Sequence, residues 1–384
     1  MQIILFIALF LCITYAILFI LYQIGWHKTK EVIYNPSHDS SSFSIIIPIR
    51  NEEKNIENCL LSILKNNFTK KNYEIIVIND FSDDASVDKI KFLQNSYPQI
   101  KLLHLADFIS MEERRNSFKK EALQIAITHA KFEWIITTDG DCVVPPNWLK
   151  SMQNMIQKHP NIQCIAAPVS FIPFKKENFL YYFQSIDFLS MQGITVASMY
   201  LNLGSMANGA NFAFKKSAFI AVNGYENINH IASGDDMLLL QKIRKKYPNS
   251  IYFLKDKKAI VKTKCQANLH DFFQQRIRWA SKSEAYEEKQ LQASLLLVYL
   301  WNLLGLFLLF LALFQIHYLY LFLLYYTIKI IIELPFVWSV ASFFDKRKEL
   351  FYYPFLQLFH IFYIIIAGFL GLFGSYEWKG RRVK

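Results

Sequence analysis

The chain has 384 residues, enough for one large domain with appendages, and is 53% hydrophobic with 34 Phe and 21 Tyr, richer than a typical soluble domain. Its net charge of +11 suits nucleic acid, anionic lipid or a phosphorylated substrate, and the apolar excess at the two ends favours a membrane. The five cysteines (Cys12, Cys59, Cys142, Cys164, Cys265) are odd in number with no CxxC pair, which argues against a disulfide framework or a zinc site and suits a reducing compartment.

Residues Ile3 to Ile24 carry no charge and are long enough to cross a hydrocarbon core of roughly 30 Å. The start, Met1-Gln2, lacks the basic residues of a cleavable signal, and Gly25-Trp26-His27-Lys28 offers no small-residue cleavage site. Residues 1–26 therefore read as a retained transmembrane anchor, with Lys28 and Lys30 placing its carboxyl end in the cytoplasm. Residues 27–42 read as a linker, polar from Asn35 to Ser42.

A globular texture begins at Phe43 and runs to about residue 290. Phe43 to Pro48 reads as a buried strand, Glu52 to Leu64 as a helix with apolar spacing at Ile56, Leu60 and Leu64, and Tyr73 to Ile78 as a second strand. A helix over Ala85 to Asn95, a strand at Ile100 to His104, a helix near Phe118 to Ala130 and a strand at Trp134 to Thr138 follow. Strands alternating with helices over short connections predict a parallel α/β sheet.

Residues Val169 to Leu203 are apolar and aromatic but too interrupted to span a bilayer. Two readings stand: an amphipathic segment on the membrane surface, interfacial over about 174–203, or helix packed on the sheet. Tethering by membrane segments on both sides favours the first. After Gln290 a C-terminal membrane region, 291–384, carries three candidate spans: Leu295 to Phe314, Tyr318 to Val340 and Phe355 to Phe373. Glu333 lies inside the second, just before Pro335. A carboxylate at mid-bilayer costs about 2.5–3.5 kcal/mol on insertion scales, so it should face other helices or a polar cavity, unless it sits at an interface beside the proline. Lys346-Arg347-Lys348 and Lys379-Gly380-Arg381-Arg382 both belong in the cytoplasm by the positive-inside rule, yet one full span separates them. Either one segment is re-entrant or interfacial, or the rule fails here.

Four clusters carry chemistry. Ile47-Pro48-Ile49-Arg50-Asn51-Glu52-Glu53 is a strand end turning into a helix amino terminus, favourable for phosphate or nucleotide and equally for a cap. Asp80, with Asp83-Asp84, ends the next strand, where acids also serve as caps. Ile135-Ile136-Thr137-Thr138-Asp139-Gly140-Asp141-Cys142 ends an apolar strand in two aspartates. Gly140 lets the backbone turn so that both face one point, and two hard oxygen ligands suit Mg²⁺ or Mn²⁺. Taken alone, the two residues could equally be ordinary loop acids. Ser233-Gly234-Asp235-Asp236, an apolar helix from Met237 to Ile243, and Gln275-Arg276-Ile277-Arg278-Trp279 make the fourth.

Strand ends that deliver acids three times in succession are hard to explain as capping. In this order the clusters resemble the membrane-bound family-2 glycosyltransferases, over about Phe43 to Lys282. The resemblance implies an α/β, GT-A-type (Rossmann-like) mixed-sheet catalytic domain over 43–290, flanked by transmembrane helices. It implies that Pro48, Arg50, Glu52 and Asp80 hold the nucleotide, and that Lys119 matches the Gly-Lys-x-x-Ala-Leu lysine near the donor phosphates, with Phe118 in place of the usual glycine. Asp139 and Asp141 match the Asp-x-Asp metal pair, Asp139 also touching the donor. Asn208, Gly209 and Asn211 resemble the turn beside the sugar and acceptor pocket. Asp236, following the acid Asp235, matches the catalytic base, and Gln275, Arg278 and Trp279 match Gln-x-x-Arg-Trp. These residues of the last two groups are expected near acceptor or diphosphate, with Arg278 catalytic.

Physical chemistry agrees. Departure of a nucleoside diphosphate needs its charge neutralised, by a divalent ion with Arg278 or Lys119 in support. The acceptor hydroxyl needs a base, and Asp236, opening a helix after a glycine, stays ionised there. A single base opposite the leaving group implies inversion. Trp279 either stacks on a sugar or is a core aromatic. The expected activity is transfer of a sugar from a UDP- or GDP-sugar to a membrane lipid or lipid-linked acceptor, by a multi-pass protein whose catalytic domain faces the cytoplasm. The alternatives are a processive polysaccharide synthase, for which three or four spans look thin, and an inactive nucleotide-sugar-binding scaffold. Nucleic acid is not expected, because the basic residues cluster beside the membrane spans.

Overall fold

The computed structural model describes residues 2–32, 40–110, 117–231, 233–374, 376–378 and 381–383, so residues 33–39 of the expected linker and Lys379-Gly380 of the C-terminal basic cluster lie outside the described residues. In chain order the elements are α1 (Gln2–Lys28), β1 (Phe43–Ile49), α2 (Ile56–Leu64), β2 (Tyr73–Asn79), α3 (Ser86–Ser96), β3 (Ile100–His104), α4 (Phe118–Thr128), β4 (Trp134–Thr137), α5 (Trp148–Lys158), β5 (Cys164–Ala166) and β6 (Val169–Ile172). There follow α6 (Phe179–Leu201), β7 (Phe212–Lys215), α7 (Lys216–Ala221), α8 (Met237–Lys246), β8 (Ile251–Phe253), β9 (Val261–Lys264), α9 (Leu269–Ala280), α10 (Lys289–Leu311), α11 (His317–Phe343) and α12 (Tyr353–Phe373).

Seven strands form one sheet in the order β3-β2-β1-β4-β7-β5-β8. The first four are parallel, as their unbroken apolar runs predict, with Ile45 opposite Ile75 and Ile136. Strand β7 runs antiparallel to both β4 and β5, so the sheet is mixed where simple alternation predicts a parallel one. The reversal comes after the long helix α6, which carries the chain across the sheet before β7 enters. Side chains alternate between faces with a period of two. Ile45, Ile47 and Val77 pack with α2, α3 and α5, whereas Ile46, Ile76 and Phe212 join α4, α6 and α8.

That second core does not stop at the sheet. It continues without a break into Tyr15 and Phe19 of α1, Phe336 and Val340 of α11, and Tyr353 of α12. Four segments, Leu5–Lys28, Lys289–Leu311, His317–Phe343 and Arg347–Phe373, are long and apolar enough to cross a membrane. Helix α6 is the seam between the two parts. Asn178 caps its start by accepting from the Tyr181 amide, and Asn202, at φ 57°, ends it in the left-handed conformation that asparagine tolerates. Small residues bring backbones together along it. A Cβ on Gly25 of α1 would lie 2.8 Å from the Ala197 carbonyl oxygen, and one on Gly193 would collide with Val340 of α11. The segment read as interfacial is thus one continuous helix, most of it buried between the sheet and the apolar helices.

Glu333 faces other helices. It is 4% exposed, pairs with Lys329 one turn earlier, and accepts the hydroxyls of Tyr15 and Tyr353, each at 2.5 Å. Every donor needed to hold a buried carboxylate is in place.

Candidate active site

The site lies at the carboxyl ends of the parallel strands, at the point where open α/β sheets place ligands. A cavity of about 920 Å³ is lined there by Pro48, Arg50, Glu52, Asp80, Lys119, Asp139, Asp141, Asn208, Gly209, Asp235, Asp236, Gln275, Arg278 and Trp279. Of the residues to which the resemblance gives roles, only Asn211 is absent from its wall.

At the end of β1, Arg50 donates through Nη1 to the carbonyls of Asp80 and Phe81, at 3.1 and 3.2 Å, locking the first two strand ends together. Asp80 is 3% exposed beside them. Its neighbour Asp84 is a cap: it accepts the Glu53 and Ser86 amides at 3.0 Å each. Glu52 accepts the Asn55 side-chain amide at 2.9 Å. The glycine between the two aspartates is needed for space and not for a left-handed turn. A Cβ on Gly140 would sit 3.0 Å from Ile49 and 3.2 Å from Glu52, so the metal-pair loop lies directly on the first strand end.

Asp139, Asp141 and Cys142 bring ligand atoms within 4.8 Å of one another. Burial, reinforced by the charges of Asp141 and Asp139, pushes the Cys142 thiol up, and its soft sulfur is a poor match for the hard ions that two carboxylates favour. The usable donors are carboxylate oxygens, a set that fits Mg²⁺ or Mn²⁺. Asp141 is oriented by Thr263 of β9, whose hydroxyl donates to Oδ2 at 3.1 Å. Strand β9 is fixed by a bridge in which the Val143 and Lys262 amides donate to each other's carbonyls at 2.8 and 2.9 Å.

Lys119 links the metal pair to the base. Its Nζ lies 3.1 Å from Asp139 and 3.2 Å from Asp235. Burial would lower this ammonium, but Asp139, Asp235 and Asp236 outweigh it and hold the lysine charged. Burial likewise pushes Asp235 up, while Lys119 and Lys120 hold it below the usual carboxylate range. Asp236 is the N-cap of α8. Its Oδ1 accepts the Met237 amide at 2.6 Å and its Oδ2 the Gly209 amide at 2.7 Å, with Lys282 3.9 Å from Oδ1. Gly209 is itself held by Thr137, whose hydroxyl donates to its carbonyl at 2.9 Å. A Cβ there would meet Asp235 at 3.3 Å, so the turn must be bare.

Asn211 is a correction to the expected acceptor pocket. It is fully buried, donates to the carbonyls of Pro168 and Ala259 at 2.8 and 2.9 Å, and accepts the Trp148 indole N–H at 2.9 Å. It pins the turn from behind, while Asn208 spends its side-chain oxygen capping the Ala210 amide at 3.0 Å. On α9, Gln275, Arg278 and Trp279 face the cavity, and the Arg276 guanidinium lies 4.3 Å over the Trp279 ring. Arg276 also pairs with Asp187 of α6 at 2.9 Å, both almost fully buried.

Sequence reasoning missed Thr263, Lys282, Asp187, Arg276 and Lys120. Lys120 is the clearest case. Successive residues of a helix point about 100° apart, so Lys119 enters the cavity while Lys120 turns inward. There it donates to the carbonyls of Ile228, Ile231 and Ser233 at 2.7, 2.6 and 3.0 Å, bracing the loop that delivers Asp235 and Asp236. Burial, opposed by Asp235 and Asp236, lowers its pKa to about 8.

A mixed sheet with acids at successive strand ends, a paired-aspartate loop and a helix-capping aspartate defines a GT-A-type domain. The model described as Glycosyl transferase family group 2 matches residues 134–369, and that of Glycosyl transferase family 2 matches residues 44–222. The chain belongs to this family of glycosyltransferases. Among curated proteins it is 25% identical over 281 residues to the poly-beta-1,6-N-acetyl-D-glucosamine synthase of Staphylococcus aureus (strain COL), covering 71% of this chain and 63% of that protein's length. It is 29% identical over 118 residues, 31% of each chain, to the uncharacterized glycosyltransferase YibD of Escherichia coli (strain K12). The mannosyltransferase PcManGT from Pyrobaculum calidifontis, solved in complex with GDP-Man and Mn²⁺, shares the fold with a TM-score of 0.60 at 17% identity, covering 95% of this chain and 97% of that one.

Proposed function

We propose that this chain transfers a sugar, with inversion, from a nucleoside-diphosphate donor to an acceptor presented by the membrane. The observation that carries the reading is the continuity of one cavity. The wall that holds Asp139, Asp141 and Asp236 also includes Glu333 of α11 and Tyr353 and Gln357 of α12, so the cavity that holds the base extends to the apolar helices.

Pro48, Arg50, Glu52 and Asp80 would receive the nucleoside, and Asp139 and Asp141 would hold Mg²⁺ or Mn²⁺ on the diphosphate. When bound, that ion supplies Lewis-acid neutralisation of the leaving group. Lys119 and Arg278 add fixed positive charge on the same side. Asp236 takes the proton of the acceptor hydroxyl as it attacks. Two backbone amides, from Gly209 and from Met237 at the start of α8, hold its carboxylate in place. The likeness to a mannosyltransferase solved with GDP-Man and Mn²⁺ is compatible with this arrangement.

The same cavity supports a second reading, in which sugars are added repeatedly, since one relative is named as a polysaccharide synthase. Product length against donor supply separates the two. The test is incubation of the full chain in detergent with Mn²⁺ or Mg²⁺ and a panel of UDP- and GDP-sugars. Donor hydrolysis or transfer should vanish on Asp141→Ala and on chelation; activity that survives both would overturn the metal assignment.

We further propose that the protein is multi-pass with its α/β domain on the cytoplasmic face, and that α12 lies along the domain instead of crossing the bilayer. At its start Tyr352 stacks on Tyr182 at 4.3 Å, and near its end a Cβ on Gly371 would lie 2.5 Å from Ala280 of α9. A helix held by the domain at both ends would return Arg381 and Arg382 to the side of Lys346–Lys348, satisfying the positive-inside rule. A cysteine introduced after Trp378 should then react with an impermeant reagent from the cytoplasmic side; reaction from the opposite side would require a full span.

A further inference from the structure

The α12 wall of the cavity carries a row of polar groups that the chemistry above does not use. Tyr353, Gln357 and His360 follow one another at helical spacing on one face of α12, and all three line the cavity. Gln357 is 5% exposed, yet its Oε1 has no hydrogen-bond partner among the described residues, and the same holds for Nδ1 of His360. Buried polar atoms are normally satisfied, and a pair left open on one cavity wall marks a place where a ligand supplies the partners.

The surroundings say what kind of ligand. Glu333 is neutralised by Lys329 and closed by Tyr15 and Tyr353. Asp187 is neutralised by Arg276 and accepts the Tyr363 hydroxyl at 2.9 Å. The charged groups come in matched pairs, so a phosphate ester here would bring charge into a poorly solvated space beside two carboxylates. Where α12 meets the end of α9, the cavity is also lined by Ala367, Gly368, Phe369, Leu372 and Phe373, with Phe369 and Phe373 exposed. A hydrocarbon tail leaving through that end would enter lipid.

We propose that Gln357 and His360 form a subsite for an uncharged, hydroxyl-bearing acceptor, a saccharide or polyol headgroup and not a phosphate ester. The inference rests on the glycosyltransferase reading and names its acceptor class. The Gln357 oxygen accepts from acceptor hydroxyls, and His360, through Nδ1, either accepts or donates according to its tautomer. The headgroup is thereby held with one hydroxyl free to reach Asp236.

The test uses the full chain in nanodiscs with radiolabelled donor. Nucleotide binding and donor hydrolysis without acceptor are measured first. Three acceptors are compared: glucosyl-diacylglycerol, a free N-acetylglucosamine oligosaccharide, and a polyprenyl phosphate. Transfer is expected to one of the two neutral acceptors, and which one distinguishes a lipid from a growing glycan end. Gln357→Leu should raise the acceptor KM about tenfold or more with the donor KM unchanged, and His360→Gln should retain what His360→Leu loses. Gln357→Met keeps the side-chain length if leucine unsettles the helix. Preference for polyprenyl phosphate, transfer to neither neutral acceptor, or an unchanged acceptor KM in both the Gln357 and the His360→Leu variants would overturn the subsite. Absence of both donor binding and donor hydrolysis in the unaltered chain would instead sink the glycosyltransferase reading beneath it.

Discussion

Among the lysines that sit against carboxylates in this chain, Lys329 and Lys119 do opposite work. Lys329, with none of its side chain exposed, pairs with one carboxylate among the described residues, Glu333, and two tyrosines complete that carboxylate's hydrogen bonds. Lys119, with 22% of its side chain exposed, is shared between Asp139 and Asp235, with Asp141 and Asp236 also on the cavity wall. The first cluster is electrically closed. The second spreads Lys119, Lys120 and Lys282 among carboxylates that line an open cavity, where a divalent ion and a proton in transfer can reach them. Closure belongs to stability, and access belongs to a site.

The comparison can be broken at either end. The largest effect is expected at the open cluster: Asp236→Asn should cut transfer by about 10²–10⁴-fold while donor binding, read by calorimetry, stays nearly intact. Lost donor binding would move Asp236 out of the base role. At the closed cluster, Lys329→Leu should destabilise the protein by about 3–5 kcal/mol, because it strands a buried carboxylate, and the double replacement Lys329→Leu, Glu333→Leu should recover most of that in thermal melts. A double variant as unstable as the single one would mean that the tyrosines, not the pairing, hold the helices.

Smaller effects sharpen the contrast. Thr263→Val removes the hydroxyl that orients Asp141 and should weaken metal affinity by roughly 10–100-fold, measured as the Mn²⁺ dependence of hydrolysis. The smallest effect is a change in the shape of the pH profile. Lys120 faces Asp235, Asp236 and Lys282 and has its pKa lowered to about 8, below the ordinary value of about 10.4. The folded protein therefore releases this proton before the unfolded chain does, so stability should rise between about pH 8 and pH 10.4 as the cost of the buried charge is relieved. Over the same range the amine has two hydrogens for three carbonyls, so transfer should fall. Lys120→Met should remove that alkaline limb; a limb that persists would assign it elsewhere.

Much of this was legible in residues. Apolar runs fixed β1 to β4 within about two residues at each end, because parallel central strands are buried on both faces and read as unbroken stretches. The acids at strand ends located the cavity. Strand β7 escaped because Phe212–Lys215 is four residues long and its direction depends on where α6 ends, a tertiary matter. Asn211 was misassigned for a related reason: a motif names its residues together, but neighbours in a tight turn point opposite ways, Gly209 toward Asp236 and Asn211 into the core. Arg276 and Asp187 are 89 positions apart, and nothing local to either residue shows that α6 and α9 meet. Glu333 was visible as an anomaly, and its partners Tyr15 and Tyr353 became visible only when α1, α11 and α12 packed.

The unbroken core that runs from the sheet through α6 into the apolar helices has a practical consequence. A fragment cut at residues 43 and 290 would leave the domain with a bare face where α1, α11 and α12 had been, including the flanks of Gly193 and Ala197. Exposed apolar area of that extent drives aggregation. Dissection into a soluble half and a membrane half is therefore the wrong way to purify this activity. The chain should be handled whole, in an amphiphile, from lysis onward.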